Sequence, residues 1–580
     1  MFCGVRGWGS VAVTRRMAPA RVKSDASFIE YDYKEALMME FDGIIIGAGP
    51  NGLTAAGYLV KAGLKVAVLE RRYEIGGGLA TENLLLPGML VDSHAIYHMM
   101  VEYAPPLRDF ELDKKYDLEW IYPDLQVVMP FLDGTHLALY RDPKKSAASI
   151  AQFSTQDAES FLNFVEISDE AMDVFLAPAS YVNPLPSLEQ AAKLELHRAT
   201  KWDDELTGYT PRQIIDSWFE NDKVRALFLY LATMWGLDYD LEGLGYLVPL
   251  MINRGWHFRL SKGGSHHVAH LMGKYISENG GRIISGCVIK RIIVENGEAK
   301  GVELDDGTII KANKFVCSSL NPHQTFYDYV GKQHLTQELV TRLDQWHYSD
   351  TSFFTVHLAL TELPEFAALR SDPELAKALI YVIGYEGEQD LIDHLEASRR
   401  GELHDGGFNC CFPSLHDPIR VHRRPGSEVK HIGLISMECA PYNLKNGGPL
   451  AWNRVRRAYA EQCKAKLAKY APNVSGSIVW DYIGTPLDTE NKFPDMKNGC
   501  FKQGAYLPLQ MGYFRPNEYC GQHSTPVGKL YLAGASTHSG GMITYGPGFN
   551  AAEKIVEDLG IEKWWPEPRG VKEARDLGLF

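Results

Sequence analysis

The residues with the plainest chemical purpose are three glycines and one acid. Gly47, Gly49 and Gly52 stand in the turn Gly47-Ala48-Gly49-Pro50-Asn51-Gly52, and Glu70 closes the apolar run that follows. Gly47 permits a tight turn, Gly49 lets a phosphate approach the backbone, and Gly52 lets a helix pack close to the preceding strand. With Pro50 and Asn51 at its start, that helix offers unpaired N–H groups and about half a unit of positive charge to an anion. A carboxylate at Glu70 can accept both hydroxyls of a ribose.

The glycine spacing alone is weak, so the elements around it decide its meaning. Gly43 to Ile46 is too short for a helix and rich in Ile, which predicts a buried parallel strand. Ala55, Ala56, Leu59 and Val60 give a small, apolar helix face, Gly63 ends it, and Lys65 to Leu69 predicts a second strand. Strand, glycine turn, helix, strand and terminal acid thus fall within one unit of ~30 residues, as dinucleotide binding requires. A glycine-rich turn of another kind leaves Glu70 without a role.

A second glycine cluster follows at once: Arg71-Arg72, then Gly76-Gly77-Gly78-Leu79-Ala80-Thr81. The basic pair alone suggests a 2′-phosphate. The glycine pair argues otherwise, because it lets the chain cross a pyrophosphate from its other side. This double-glycine arrangement resembles the FAD signature of the glutathione-reductase-like flavoproteins. The resemblance implies cofactor contacts at Arg71 and from Gly76 to Thr81, with Thr81 at the hydroxyl position. Gly78 stands where many members carry Arg.

Composition sets limits on the rest. The 580 residues suffice for two or three intertwined domains, and a formal charge of -14 argues against nucleic-acid binding. No apolar run reaches the length of a membrane span. The nine cysteines contain no C-x-x-C pair, which predicts reduced, mostly buried thiols. Met1 to Lys23 carries five basic residues and no acid. It reads as a mitochondrial transit peptide, or as an extension before a true start near Met38 or Met39.

Along the chain, Leu84 to His98 reads as a strand and turn. Asp157 to Val174 and Pro211 to Met234 read as amphipathic helices. Ala226 to Trp235 reads as a core helix that could wall an apolar substrate tunnel. His266, His267 and His270 follow Gly263-Gly264 on a helical pattern, but without an H-E-x-x-H context no metal site is expected. Cys287 to Val294, Ala299 to Leu304, Thr308 to Ala312 and Phe315 to Cys317 read as strands. Glu295-Asn296-Gly297 is a hairpin signal between the first two. Thr351 to Leu360 and Ile432 to Cys439 read as strands and Ala451 to Tyr470 as a helix. Lys529 to His538 predicts a strand entering the glycine-rich stretch Ser539 to Gly548, ahead of a helix from Phe549 to Leu559. Trp564-Trp565 reads as a packing pair or as a contact with a membrane surface.

Four stretches carry a wider resemblance: IIIGAGPNGLTAAGYL, VLERRYEIGGGLATE, VELDDGTIIKA with VCSSLNP, and LAGASTHSGGMITYGPGFNAA. They resemble the phytoene desaturase-like FAD-dependent oxidoreductases, most of all the branch containing pyridine nucleotide-disulfide oxidoreductase domain-containing protein 2. The C-terminal motif, usually H-P-G-G-G, here reads His538-Ser539-Gly540-Gly541-Met542, and Tyr545 stands where Gly is common. No C-x-x-x-x-C dithiol and no second nucleotide fingerprint is present, so disulfide reduction is not expected.

The resemblance implies an α/β fold: a glutathione-reductase-like FAD-binding Rossmann domain (39–104, 251–330 and 495–560) with an inserted mixed α+β substrate domain (105–250 and 331–494). An extension or targeting segment (1–38) and a tail (561–580) flank them. It implies adenine contact through the backbone of Val288, and flavin contacts at Gly534, Ala535, Gly541, Met542 and Ile543. His538 and Tyr545 are the candidate catalytic residues, with Trp256 and His257 weaker ones. The expected chemistry is hydride removal from a C–H bond of an apolar or cyclic substrate to FAD. Isomerisation or ketolation of a carotenoid-like substrate, and a non-catalytic FAD-holding interaction protein of mitochondria, are the alternatives. The resemblance further implies a cytoplasmic or mitochondrial-matrix protein, with peripheral membrane contact and oligomeric state left open.

Overall fold

The computed structural model describes residues 40–186, 188–190, 192–193, 208–422 and 426–580. The two readings of the N-terminal extension lie outside the described residues.

Two seven-stranded sheets organise the chain. In the first, Phe41–Ile46 lies parallel between Val66–Glu70 and Ile309–Ser318, with Arg282–Ser285 beyond Val66–Glu70 and Leu530–Leu532 beyond Ile309–Ser318. The Phe315 ring lies over Gly43, where an added Cβ would sit 1.9 Å from its Cζ. The helix Pro50–Lys61 packs against His266–Glu278 and Gly546–Asp558. Its small face permits that approach.

One strand departs from the sequence reading. The two strands expected at Thr308 to Ala312 and Phe315 to Cys317 are one ten-residue strand, Ile309–Ser318. Its first half pairs antiparallel with Glu298–Leu304 and its second half parallel with Phe41–Ile46. The alternating exposure of the first half gives way to full burial in the second, as expected when one face and then both faces are covered. The exposed Asn313-Lys314 step between them looked like a break. Asn296 and Gly297 turn the neighbouring hairpin with φ of 52° and 76°, the left-handed pair that a two-residue turn needs.

The second sheet runs Ile478–Gly484, Thr351–Leu360, His431–Pro441, Phe408–Cys411, Ile380–Ile383, Leu125–Pro130, His136–Tyr140. Neighbours are antiparallel except where Ile380–Ile383 meets Leu125–Pro130 in parallel. The helix Trp452–Tyr470 shares its core, with the Trp452 indole donating to the Pro441 carbonyl at 3.0 Å.

Three further expectations change. The Pro211 to Met234 stretch is two helices, Pro211–Trp218 and Asp222–Thr233. The Asp157 carboxylate accepts the N–H groups of Glu220 and Asn221, and Asn221 caps the second helix, so the break is built by side chains. Leu84 to His98 is largely irregular, with only Val91–Asp92 pairing back to Thr81–Glu82. The expected Lys529 to His538 strand is only Leu530–Leu532, because Gly534 turns the chain against the carbonyls of Ser319 and Leu320.

The two C-terminal tryptophans are a packing pair. Their rings lie 5.7 and 4.8 Å from the Tyr58 ring, and Trp565 is buried. Among the described residues no helix is long and apolar enough to cross a membrane, and no group of three or more His, Cys, Asp or Glu is placed to hold a metal. The described cysteines form no disulfide among themselves, and all but Cys439 are buried.

Candidate functional site

A cleft open to solvent lies over the C-terminal ends of Phe41–Ile46 and Val66–Glu70. Gly47, Gly49, Pro50, Asn51, Glu70, Arg71, Gly77 and Gly78 line it from one part of the chain, and Ala535, Gly541, Met542 and Ile543 from the other. This is the crevice outside the carboxyl ends of parallel strands where open α/β sheets take their ligands.

The glycines divide their work. A Cβ on Gly52 would stand 2.0 Å from the Gly47 carbonyl oxygen, so Gly52 serves the close packing of turn and helix. A Cβ on Gly49 would meet nothing nearer than the Gly77 Cα at 4.0 Å, so Gly49 faces open space. Gly77, at φ 52°, brings the second glycine turn onto Gly49, with room for no Cβ between them without a 3.0 Å contact.

Glu70 accepts the N–H of Ala48 at 2.9 Å and of Arg72 at 2.7 Å. Both oxygens are thereby fixed, and a carboxylate has further lone pairs to offer a ligand in the cleft. Two side-chain oxygens on the cleft wall, Asn51 Oδ1 and Gln324 Oε1, are buried without any hydrogen-bond partner. Buried polar atoms in folded proteins nearly always have one. These acceptor oxygens fit a dinucleotide, whose ribose hydroxyls and base N–H groups can donate to the same wall.

Several expected contacts lie elsewhere. The Thr81 hydroxyl donates to Asp92 at 2.6 Å and accepts the His266 N–H at 2.9 Å, so it fastens the start of the His266–Glu278 helix. Gly76, at φ 112°, closes a turn against Ala269 and the Leu79 carbonyl, and Leu79 and Ala80 are core residues. Arg71 reaches the cleft but donates to the Lys492 carbonyl at 2.9 Å, tying two walls together. The Val288 side chain is exposed and its carbonyl accepts the Asp305 N–H, so a ligand contact there falls to its own N–H; its neighbours Cys287 and Ile289 line the cleft. Gly534 is packed against Gln503 and the Ser319 carbonyl.

The candidate catalytic pair does not line the cleft either. The His538 ring donates through Nε2 to the Ala179 carbonyl at 2.6 Å, and burial holds it down to about 4, so it is neutral near pH 7. Tyr545 caps the Gly546–Asp558 helix with φ 63°; its hydroxyl is buried without a partner, and burial pushes its pKa well up. The helix start behind it is filled by protein, since a Cβ on Gly546 would meet Ser539 Oγ at 2.4 Å. His257 bonds the Tyr122 hydroxyl at 2.6 Å and Trp256 is a core residue, so the weaker candidates also stand apart from the cleft.

The remaining walls were not foreseen. Ser319, Leu320, Gln324 and Tyr329 close one side. The segment from Lys492 to Gln503 closes another with Phe493, Asp495, Met496 and Phe501. Lys492 pairs with Glu82 and donates to Ser93 at 2.8 Å, and Gln503 donates to Asp495 at 2.7 Å. Apart from Lys492, which ends the Pro486–Lys492 helix, these residues sit in irregular backbone or a π-helix, where no hydrophobic period marks them.

Comparison with known proteins places this geometry. The model of the Thi4 family matches residues 28–105. A limonene dehydrogenase subunit from Castellaniella defragrans is 38% identical over 93% of this chain and 98% of its own length. Pyridine nucleotide-disulfide oxidoreductase domain-containing protein 2 of Mus musculus is 27% identical, over 90% and 94%. Phytoene desaturase (lycopene-forming) of Pseudescherichia vulneris is 23% identical, over 90% and 99%. Among solved structures, an oxidoreductase from Methanosarcina mazei shares the fold with a TM-score of 0.57 at 16% identity, covering 89% of this chain and 99% of that one.

Proposed function

The chain belongs to the phytoene desaturase-like family of FAD-dependent oxidoreductases, and from that premise we propose that it desaturates an apolar, cyclic hydrocarbon by taking hydride from a C–H bond. The observation that carries this reading is the cleft itself, where an open Gly49, a pinned Glu70 and the unpartnered Asn51 and Gln324 oxygens meet. The substrate class is supported by the relative of 38% identity whose name makes it part of a limonene dehydrogenase.

In this reading Gly49 and the first turn of the Pro50–Lys61 helix face the pyrophosphate, and Glu70 holds the ribose. Gly77 and Gly78 cover the phosphates, and Gly541, Met542 and Ile543 border the isoalloxazine ring. Bound there, FAD supplies the hydride acceptor. The chain supplies position and dryness: Met496, Phe501, Met542 and Ile543 bring apolar surface to the cleft beside Gly78. Such a surface excludes water and aligns a hydrocarbon that has no polar handle.

The test is anaerobic. Flavin-loaded protein is mixed with limonene, other cyclic terpenes and linear carotenoid precursors, and the flavin absorbance is followed. Bleaching by a terpene, with a product two hydrogens lighter, is the expected result. Persistent colour with every hydrocarbon would overturn the reading.

A further inference from the structure

The strongest set of buried polar groups outside the cleft walls lies where the second sheet meets the Asp222–Thr233 helix. Asn409 donates to Glu438 Oε1 at 2.9 Å and to the Tyr230 hydroxyl at 2.8 Å. Ser436 donates to the same Oε1 at 2.8 Å, and Tyr97 donates to Asn409 at 3.4 Å. Every one of these bonds to the carboxylate falls on Oε1. Oε2 is buried with no partner, and so is the nearby indole N–H of Trp235, whose ring meets Phe258 and, through it, Tyr97. Glu438 is deep in the molecule yet keeps accessible surface.

Lys502 links this cluster to the cleft wall. Lys502 stands between Phe501 and Gln503, both cleft residues, and a Cβ on cleft-lining Gly541 would lie 3.1 Å from the Lys502 Cα. Its ammonium donates to the carbonyls of Trp235 and Gly236 at 3.4 and 3.2 Å, just past the Asp222–Thr233 helix, and shares the field of Glu438. A buried carboxylate oxygen without a partner calls for an explanation. An unpartnered carboxylate oxygen in a costly position, beside a cleft built for a hydride acceptor, marks a group that meets something absent from the chain itself.

We propose that Glu438 faces the substrate and accepts the second hydrogen of the desaturation as a proton, with Asn409 and Ser436 fixing its carboxylate and Lys502 supplying the balancing charge. The proposal rests on the hydrocarbon-desaturase reading. One C–H bond breaks with its electron pair leaving as hydride to the flavin. The C–H bond on the adjacent carbon breaks with its proton passing to Glu438 Oε2, and its electron pair becomes the new double bond.

The electrostatics suit the role. Burial pushes the Glu438 carboxyl up to about 7, against the opposing pull of Ser436, Asn409 and Lys502. Burial brings Lys502 down to about 8. The other titratable groups that feel the carboxylate, Tyr97, Tyr230, Tyr385 and Cys439, are all pushed up by burial and stay neutral. A base with a pKa near the working pH is the efficient one.

Glu438→Gln and Glu438→Asp holoenzymes test this alongside the wild type. Flavin content should be unchanged in both. Glu438→Gln should lower kcat with the best terpene by about 100-fold or more and remove an ionisation near pH 7 from kcat/KM, with partial recovery in Glu438→Asp. Independently of turnover, isotope-edited infrared spectra of the wild type should show a carboxyl band that titrates near pH 7, moves when limonene is added, and is changed by either substitution. Activity within threefold of wild type in Glu438→Gln would overturn the proposal. If no hydrocarbon bleaches the wild type, the desaturase reading fails by itself. The infrared shift then decides whether Glu438 is a ligand contact, and a band indifferent to limonene overturns that too.

Discussion

Replacing Gly49 with Val should separate cofactor binding from folding. Gly49 precedes the Pro50–Lys61 helix in extended backbone, φ -73° and ψ 176°, which Val adopts freely. Its added Cβ meets nothing nearer than the Gly77 Cα at 4.0 Å. The cost to the apoprotein is the loss of a favourable helix-capping glycine, within about 1 kcal/mol. The branched side chain, however, fills the space a pyrophosphate needs. Losing two charge-assisted hydrogen bonds at ~1.5–3 kcal/mol each amounts to about 3–6 kcal/mol. At ~1.4 kcal/mol per decade this is a 100-fold to 10,000-fold weaker Kd for FAD. Gly52→Ala is the contrast. Its Cβ would lie 2.0 Å from the Gly47 oxygen, an overpacking of about 1–3 kcal/mol that acts on the fold itself. Titration calorimetry of the apoproteins with FAD, together with their thermal melts, reads both quantities. Gly49→Val should melt with the wild type and bind FAD poorly, whereas Gly52→Ala should melt lower. A Gly49→Val protein that purifies with full flavin, or that melts below Gly52→Ala, would refute the division of roles.

Thr81→Val removes the donor to Asp92 and the acceptor for the His266 N–H; it should cost about 1–2 kcal/mol in thermal or denaturant melts while leaving the flavin absorbance per protein unchanged. Because burial keeps His538 neutral down to about pH 4, kcat/KM measured from pH 5.5 to 8.5 should contain no ionisation that His538→Gln removes. The raised Glu438 carboxyl carries a stability signature of definite sign. Below its ordinary value of 4.5 both folded and unfolded chains hold the proton; between 4.5 and about 7 only the folded chain does, so stability falls as pH rises and the loss is complete above about 7. At ~1.36 kcal/mol per unit the loss approaches ~3 kcal/mol, so Glu438→Gln should gain on the wild type in melting temperature between pH 4.5 and 7 by about 2–3 °C. A constant offset across that range would show that the carboxyl does not titrate there.

The dinucleotide unit was legible because all its parts are local. Strand, glycine turn, helix and Glu70 follow one another, and each obeys its own period or turn chemistry. Place in the turn already assigns Gly49 to a phosphate and Gly52 to close packing, and the distances to Gly77 and Gly47 give that division a physical measure. Thr81 and His538 stand away from the cleft walls for a different reason. Their hydroxyl and imidazole are claimed by the His266 N–H and the Ala179 carbonyl, partners about 185 and 360 residues away that no local pattern announces. The Lys492–Gln503 wall was missed because irregular backbone has no period to read. Glu438 was missed because it sits in a largely apolar strand, His431–Pro441, where its meaning depends on Asn409 and Lys502.

The cleft draws its walls from Gly47 to Gly78 and again from Ala535 to Ile543. A ribosome adding about 5–20 residues per second takes roughly 23–92 s to travel from one set to the other. Through that interval the first glycine turn exists without the loop that completes the site. On the proposed placement the flavin joins an essentially finished polypeptide, and yellow colour reports complete synthesis: a chain stopped before Ala535 should accumulate colourless however well its first strands have paired.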